Sequence, residues 1–126
     1  MLGGFVAVGV GAALGAWLRW GLSTWLNPRV SSFPLGTLAA NLVGALVMGI
    51  AIGAFAHYET IPLAARLAIT TGFLGGLTTF SAFSGETVGL ILRGHYGWTA
   101  LMIVAHVVGS LVLTLAGVGL VRLALR

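Results

Sequence analysis

The sequence predicts an all-α membrane protein whose single domain, residues 1–126, contains four transmembrane helices. Hydrophobic residues make up 59% of the chain and charged residues only 6%, whereas soluble domains carry about 25% charged residues. Crossing a bilayer takes about 20 residues per helix, so four apolar stretches nearly exhaust the 126 residues. We expect spans at residues 3–22, 36–55, 63–92 and 98–123.

The third stretch contains a polar, glycine-rich segment, GFLGGLTTFSAFSGE, from Gly72 to Glu86. Each glycine weakens a helix by about 1 kcal/mol relative to alanine, and the hydroxyl groups cannot be satisfied by lipid hydrocarbon. This segment must therefore face protein or water. Because about 30 residues is too long for one straight span, we expect helix three to be broken between residues 72 and 79.

Two other predicted spans carry polar groups in their interior. Asn41 lies more than a turn inside the second span and is either a helix–helix contact or a pore-lining donor. In the fourth span His106, Ser110 and Thr114 recur every four residues and so share one helix face.

The arginines are evenly divided between the two predicted sides of the membrane: Arg66, Arg122 and Arg126 against Arg19, Arg29 and Arg93. The positive-inside rule then gives no preferred orientation, which makes an antiparallel, dual-topology homodimer possible. Arg19, just inside a belt of tryptophans, is either a snorkelling anchor or part of an electropositive vestibule for anions.

Patterns typical of enzymes and of nucleic-acid binding are missing. The chain has no cysteine, and His57, His95 and His106 lack the spacing of metal ligands. No nucleophile–base pattern is present, and the arginines form no basic cluster. We therefore expect no catalytic residues, no enzyme activity and no nucleic-acid partner.

A row of aromatic and hydroxyl side chains remains as candidate chemistry. A phenyl ring has a positive edge, so Phe80 and Phe83 at a narrow passage would attract an anion weakly, unless they only pack the interior. The hydroxyls of Ser81 and Ser84 can donate hydrogen bonds to the same anion. Glu86 could relay protons, bind a cation or lie near a water-filled mouth.

Two motifs resemble the Fluc family of small bacterial fluoride channels: GGLTTFSAFSGE from Gly75 to Glu86, and GTLAANLVGA from Gly36 to Ala45. A further match is Gly15-Ala16 followed by Arg19-Trp20. The resemblance implies an antiparallel homodimer in the lipid bilayer of the bacterial plasma (inner) membrane, with two pores at the subunit interface. It also implies passive, selective export of fluoride, which lowers its toxicity.

The resemblance also implies residue roles. Phe80 and Phe83 would contact fluoride edge-on, supported by Asn41. The same pathway would include the following polar side chains: Ser81, Ser84, Glu86 and Ser110. His106, which only some relatives have, is placed in the same pathway with its role left open. The backbone carbonyls of Gly75 and Thr78 from both subunits would hold a structural sodium ion at the dimer centre. Some relatives have hydroxyl-bearing residues where this chain has Ala39 and Val104, so the polar row is thinner here.

Two alternative functions belong to other classes. The first is a proton-coupled exporter of the small four-helix type, with Glu86 as the proton-carrying carboxylate. The second is a non-transporting assembly protein held together by small-residue helix packing, in which Phe80 and Phe83 carry no ion flux.

Overall fold

A computed structural model describes all residues, 1–126, and the chain is entirely helical. Four helices are long and apolar enough to cross a membrane, at Leu2–Arg29, Leu35–His57, Leu63–Leu92 and Tyr96–Ala124. The prediction of an all-helical chain with four candidate membrane-spanning helices is therefore confirmed. Helix one (Leu2–Leu26) is longer than predicted because helical geometry continues through the tryptophan belt.

The third span is irregular in its first half. It begins as an α-helix at Leu63–Leu67, widens into a π-helix at Ala68–Leu74 and returns to α geometry at Gly75–Leu77. Thr78 and Thr79 are then extended, with ψ values of 152° and 118°. A second helical segment runs over Phe80–Leu92, and the Thr79 hydroxyl caps its start by accepting the Ala82 N–H at 3.1 Å.

Glycines bring the helix backbones into direct contact. A Cβ atom built on Gly15 of helix one would lie 2.1 Å from the Phe73 carbonyl oxygen of the third span. In helix two (Leu35–His57), a Cβ on Gly49 would lie 2.0 Å from the Thr114 carbonyl of helix four (Tyr96–Ala124). These positions cannot accept even alanine without movement of backbone, so the small residues determine which helices pair.

The helices form two parallel pairs. Gly49 and Gly53 of helix two lie beside Thr114 and Val121 of helix four, in the same order along each chain segment. Helix one and the third span likewise run in the same direction, because Gly4 approaches Leu67 and Gly15 approaches the backbone from 73 to 77. Both chain termini consequently lie at the end that carries the loop between helix two and the third span.

Arg66 organises that loop. Its guanidinium donates hydrogen bonds to the backbone carbonyls of Phe55, Tyr58, Glu59 and Ile61 and lies 5.1 Å from the centroid of the Phe55 ring. The positive charge is thereby held against the carboxyl end of helix two, where the helix dipole favours a cation.

Candidate functional site

The candidate site is a cavity of about 500 Å³ on the concave face between helix two, the third span and helix four. The break in the third span contributes both aromatic and backbone groups to its wall, while helices two and four contribute polar side chains. The residues singled out from the sequence that line it are Asn41, Gly75, Thr78, Phe80, Phe83, His106 and Ser110. The fold therefore brings seven predicted site residues, from three helices, to one place.

Asn41 holds the extended backbone of the third span. Its amide nitrogen donates to the Thr79 carbonyl at 3.0 Å, and its carbonyl oxygen accepts the Thr79 N–H at 2.7 Å. The interruption of the helix leaves the Thr79 N–H without its usual intrahelical acceptor. The Thr79 carbonyl, at the N-cap of the next helical segment, gains the Asn41 amide as an additional donor. The side chain thus replaces part of the missing helix, and it links helix two to the third span.

His106 approaches the same amide from helix four. Its Nδ1 lies 3.1 Å from the Asn41 amide nitrogen, and its ring is tilted by 34° against Phe83 with centroids 4.5 Å apart. The side chain is only 5% exposed, and its Nε2 is buried without a hydrogen-bond partner. His106 is therefore held by one hydrogen bond and one aromatic contact.

The two phenylalanines form an edge-to-face pair at the start of the second half of the third span. Their ring centroids are 5.6 Å apart and their planes meet at 66°. Phe83 is half-buried against His106, whereas Phe80 is 79% exposed on the protomer surface. In such a pair the edge of one ring faces the other ring, and the remaining edges are free to meet a different group.

Most hydroxyl groups near the cavity already bond to carbonyls. The Thr78 hydroxyl donates to Leu74, the Ser110 hydroxyl to Val107 and the Thr114 hydroxyl to Ala45, over 2.7, 3.1 and 2.9 Å. Each oxygen then has lone pairs left, and each proton can turn toward another acceptor. Ser81 and Ser84 are exposed and lie outside the cavity lining.

Glu86 belongs to a different part of the molecule. One carboxylate oxygen accepts the Thr37 hydroxyl at 2.7 Å, and the other is buried without a partner. The residue lines a separate polar cavity of about 400 Å³, together with Asn27, Ser31, Ser32 and Arg93. The structure therefore does not bring Glu86 into the cavity of the phenylalanines, although Glu86, Phe80 and Phe83 lie on the same helix.

Arg19 contacts the interrupted part of the third span directly. Its Nε donates to the Gly76 carbonyl oxygen at 3.1 Å, one of the carbonyls left free where the first helical segment ends. Gly15 and Arg19 are four residues apart, so they share the face of helix one that packs on the third span. This contact ties Arg19 to the third span in addition to any role at the membrane surface.

Two threonines, Thr37 and Thr79, were missed by the sequence analysis as members of these sites, and a third, Thr114, was placed only on the polar face that it shares with His106 and Ser110. Thr37 is the partner of Glu86, Thr79 is the partner of Asn41, and Thr114 lines the cavity and bonds to Ala45. Thr37 and Asn41 are four residues apart on helix two, and that spacing could have indicated a shared face. Their partners depend on tertiary packing, which no local pattern contains.

Comparison with known proteins identifies the family. The family model described as "CrcB-like protein, Camphor Resistance (CrcB)" matches residues 6–118. The chain belongs to the CrcB family. The resemblance to the Fluc channels is thereby confirmed, since CrcB relatives carry the name "Fluoride-specific ion channel FluC".

Three CrcB relatives illustrate the similarity. The protein from Nitrosospira multiformis is 57% identical over 116 residues, which cover 92% of this chain and 91% of the relative. The one from Ralstonia pickettii is 57% identical over 119 residues, 94% of each chain. The one from Thiobacillus denitrificans is 52% identical over 110 residues, 87% of this chain and 89% of the relative. All three have the FluC name.

Proposed function

We propose that this CrcB-family chain is a fluoride-selective, passive ion channel, a multi-pass protein of the plasma membrane that lets cytoplasmic fluoride leave the cell. The observation that carries the proposal is the cavity in which the Phe80–Phe83 pair meets the broken, polar segment of the third span. The names of its relatives, which match over almost their whole length, support the same function.

The physical problem is to dehydrate a small, strongly hydrated anion without binding it tightly. Ring edges and hydroxyl groups attract an anion weakly, and conduction requires binding that is favourable yet easily reversed. No arginine lines the cavity of the phenylalanines, so fluoride would meet no cationic side chain there that could trap it. A narrow passage in the assembled channel would exclude chloride by fit, and the backbone contacts of Gly15 and Gly49 with neighbouring helices would restrict movement of the surrounding helices.

An antiparallel homodimer would complete the site. Phe80 is 79% exposed on one protomer, and the cavity opens on the same face. Four thin helices enclose little interior of their own, and an even division of arginines allows both insertions. We propose that a second, oppositely inserted copy covers this face. An epitope tag at one terminus should then be detected on both sides of the membrane, and detection on one side alone would contradict the dual topology.

A structural sodium ion fits the carbonyls at the break. Gly75 and Thr78 line the outward-facing cavity, and the last carbonyls of an interrupted helix lack intrahelical partners. Carbonyl oxygens are the hard ligands that a sodium ion takes, and the ion would neutralise the carbonyl dipoles gathered at the dimer centre. Replacing sodium with a large organic cation throughout purification should lower fluoride flux. Full activity after that exchange would contradict the sodium site.

The proton-coupled alternative receives less support. Such an exporter needs its carboxylate in a roomy chamber with aromatic rings around a cation. Glu86 instead bonds to Thr37 and lies in a separate cavity from Phe80 and Phe83.

Fluoride efflux from liposomes tests the proposal. Vesicles loaded with potassium fluoride and containing the protein should release fluoride rapidly when an ionophore balances the charge, with chloride retained and no requirement for a proton gradient. Release that is no faster than from protein-free vesicles would overturn the channel function. Release that stops when the proton gradient is removed would favour the exporter.

A further inference from the structure

We infer that His106 is a positioning residue of the pathway: as the neutral tautomer protonated on Nε2, it accepts a hydrogen bond from Asn41 and so holds the Asn41 amide on the Thr79 backbone. This inference rests on the proposed function for its consequence, but its structural content stands on Asn41, Thr79 and His106 alone.

The orientation of the Asn41 amide follows from the backbone. A peptide N–H can only donate and a peptide carbonyl can only accept. The Asn41 oxygen must therefore face the Thr79 N–H at 2.7 Å, and its nitrogen must face the Thr79 carbonyl at 3.0 Å. In a flipped amide, the Asn41 nitrogen would face the Thr79 N–H, donor against donor, and the Asn41 oxygen would face the Thr79 carbonyl, acceptor against acceptor.

The His106 tautomer follows from that orientation. The Asn41 nitrogen has two protons, of which one is used by the Thr79 carbonyl, and the other meets His106 Nδ1 at 3.1 Å. Nδ1 must then be the bare nitrogen, and the ring proton must be on Nε2. Because Nε2 has no partner in the chain, no other group competes to set the tautomer.

As a consequence, Asn41 and the phenylalanines have different roles in the site. Both protons of the Asn41 amide are committed to the protein, so Asn41 acts on the ion through the backbone that it holds. Thr79 caps the helix that begins at Phe80, and the His106 ring packs on Phe83. One chain of contacts, from His106 through Asn41 to Thr79, therefore sets the start of the helix that presents both phenylalanines.

Two substitutions separate the hydrogen bond from the aromatic contact. His106→Phe keeps a ring of similar size against Phe83 but removes the acceptor. His106→Asn loses the ring but keeps an amide oxygen near the former Nδ1. In the fluoride efflux assay we expect the Phe variant to be slower by about tenfold or more, the scale set by leaving a buried donor unpaired. We expect the Asn variant to recover most of that loss. His95→Phe, on the exposed loop before helix four, is the matched control and should change nothing.

The tautomer itself can be observed without any transport. In protein with His57→Gln and His95→Gln, His106 is the only histidine, and ¹⁵N NMR of the reconstituted sample should show a bare Nδ1 and a protonated Nε2. In His106→Asn, no such signal remains, which assigns it. A proton on Nδ1 in the folded protein would overturn the inference.

The transport results are equally decisive, and they separate two kinds of failure. Unchanged efflux in His106→Phe, or an Asn variant as slow as the Phe variant, would overturn the positioning role. Absence of fluoride efflux from the unsubstituted protein would instead overturn the proposed function, while the NMR result would still decide the tautomer. If the Phe variant does not fold, the NMR measurement is the deciding one.

Discussion

Asn41 and Thr79 are joined by two hydrogen bonds, in which the side-chain amide of one residue pairs with both backbone groups of the other. The pairing resembles one rung of a β-ladder, formed inside a membrane span. Buried backbone groups are rarely left unpaired, and in lipid the cost of leaving them so is several kcal/mol each. The extended backbone at Thr79 is thus tolerated because helix two supplies partners for its N–H and its carbonyl.

Replacing Asn41 by aspartate tests this pairing with almost no change in shape. A carboxylate oxygen would then replace the amide nitrogen that donates to the Thr79 carbonyl and to His106 Nδ1. Two hydrogen bonds would be lost, and the new oxygen would repel both acceptors. We expect the free energy of unfolding to fall by about 1–3 kcal/mol and fluoride efflux to be lost. Thermal unfolding in detergent and liposome efflux measure the two effects. An aspartate variant with normal stability and flux would refute the role of the pair.

Replacing Phe80 or Phe83 by isoleucine tests the aromatic contribution. Isoleucine preserves apolar volume but lacks the positive ring edge, so fluoride efflux should fall strongly in each variant. Because Phe80 is largely exposed on the protomer, its substitution should leave the protomer fold intact. Phe5→Ile, on the exposed face of helix one, is the control. If the packing alternative is right, all three variants will conduct alike.

Replacing Glu86 by glutamine separates channel from exporter. Glutamine keeps an oxygen that can accept from Thr37 but cannot carry a proton in exchange for cargo. A passive channel should continue to release fluoride, whereas a proton-coupled exporter should stop. The same liposomes, assayed with and without a proton gradient, provide the comparison. Complete loss of flux in a folded Glu86→Gln protein would revive the exporter hypothesis.

Replacing Gly49 by alanine tests the packing of helices two and four. The added Cβ would lie 2.0 Å from the Thr114 carbonyl oxygen, so the helices must separate, at a cost of about 1–3 kcal/mol. We expect a lower melting temperature and reduced recovery of monodisperse protein. Gly119→Ala on helix four, where nothing lies within 4 Å of the new atom, should behave as the unsubstituted chain. Equal stability of both variants would contradict this account of the fold.

Local composition predicted much of the architecture. Apolar stretches of sufficient length identified the four spans, and the glycines and hydroxyls of residues 72–86 identified the segment that cannot face lipid. The position of the extended residues within that segment was not predictable, because it depends on where Asn41 of another helix finds backbone to bind. The π-helical turns at Ala68–Leu74, where Gly72 packs against Val8 and Gly11 of helix one, were not predicted either.

The sequence predicted which residues line the site better than it predicted the contacts that those residues make. Asn41, Phe80, Phe83, His106 and Ser110 do line one cavity. Glu86 continues the helix of the phenylalanines, yet it turns toward Thr37 and a second cavity. Helical periodicity predicts on which face of a helix a side chain lies. It does not predict which neighbouring helix packs against that face. The two interpretations of Arg19 omitted its bond to Gly76 for the same reason.

The central claim is selective, passive conduction of fluoride, and the zero-current potential across a planar bilayer tests it most directly. With a fluoride gradient, equal chloride on both sides and no proton gradient, the potential should lie close to the equilibrium potential of fluoride. It should not move when a chloride or a proton gradient is added. A potential that follows chloride or protons instead would contradict the account.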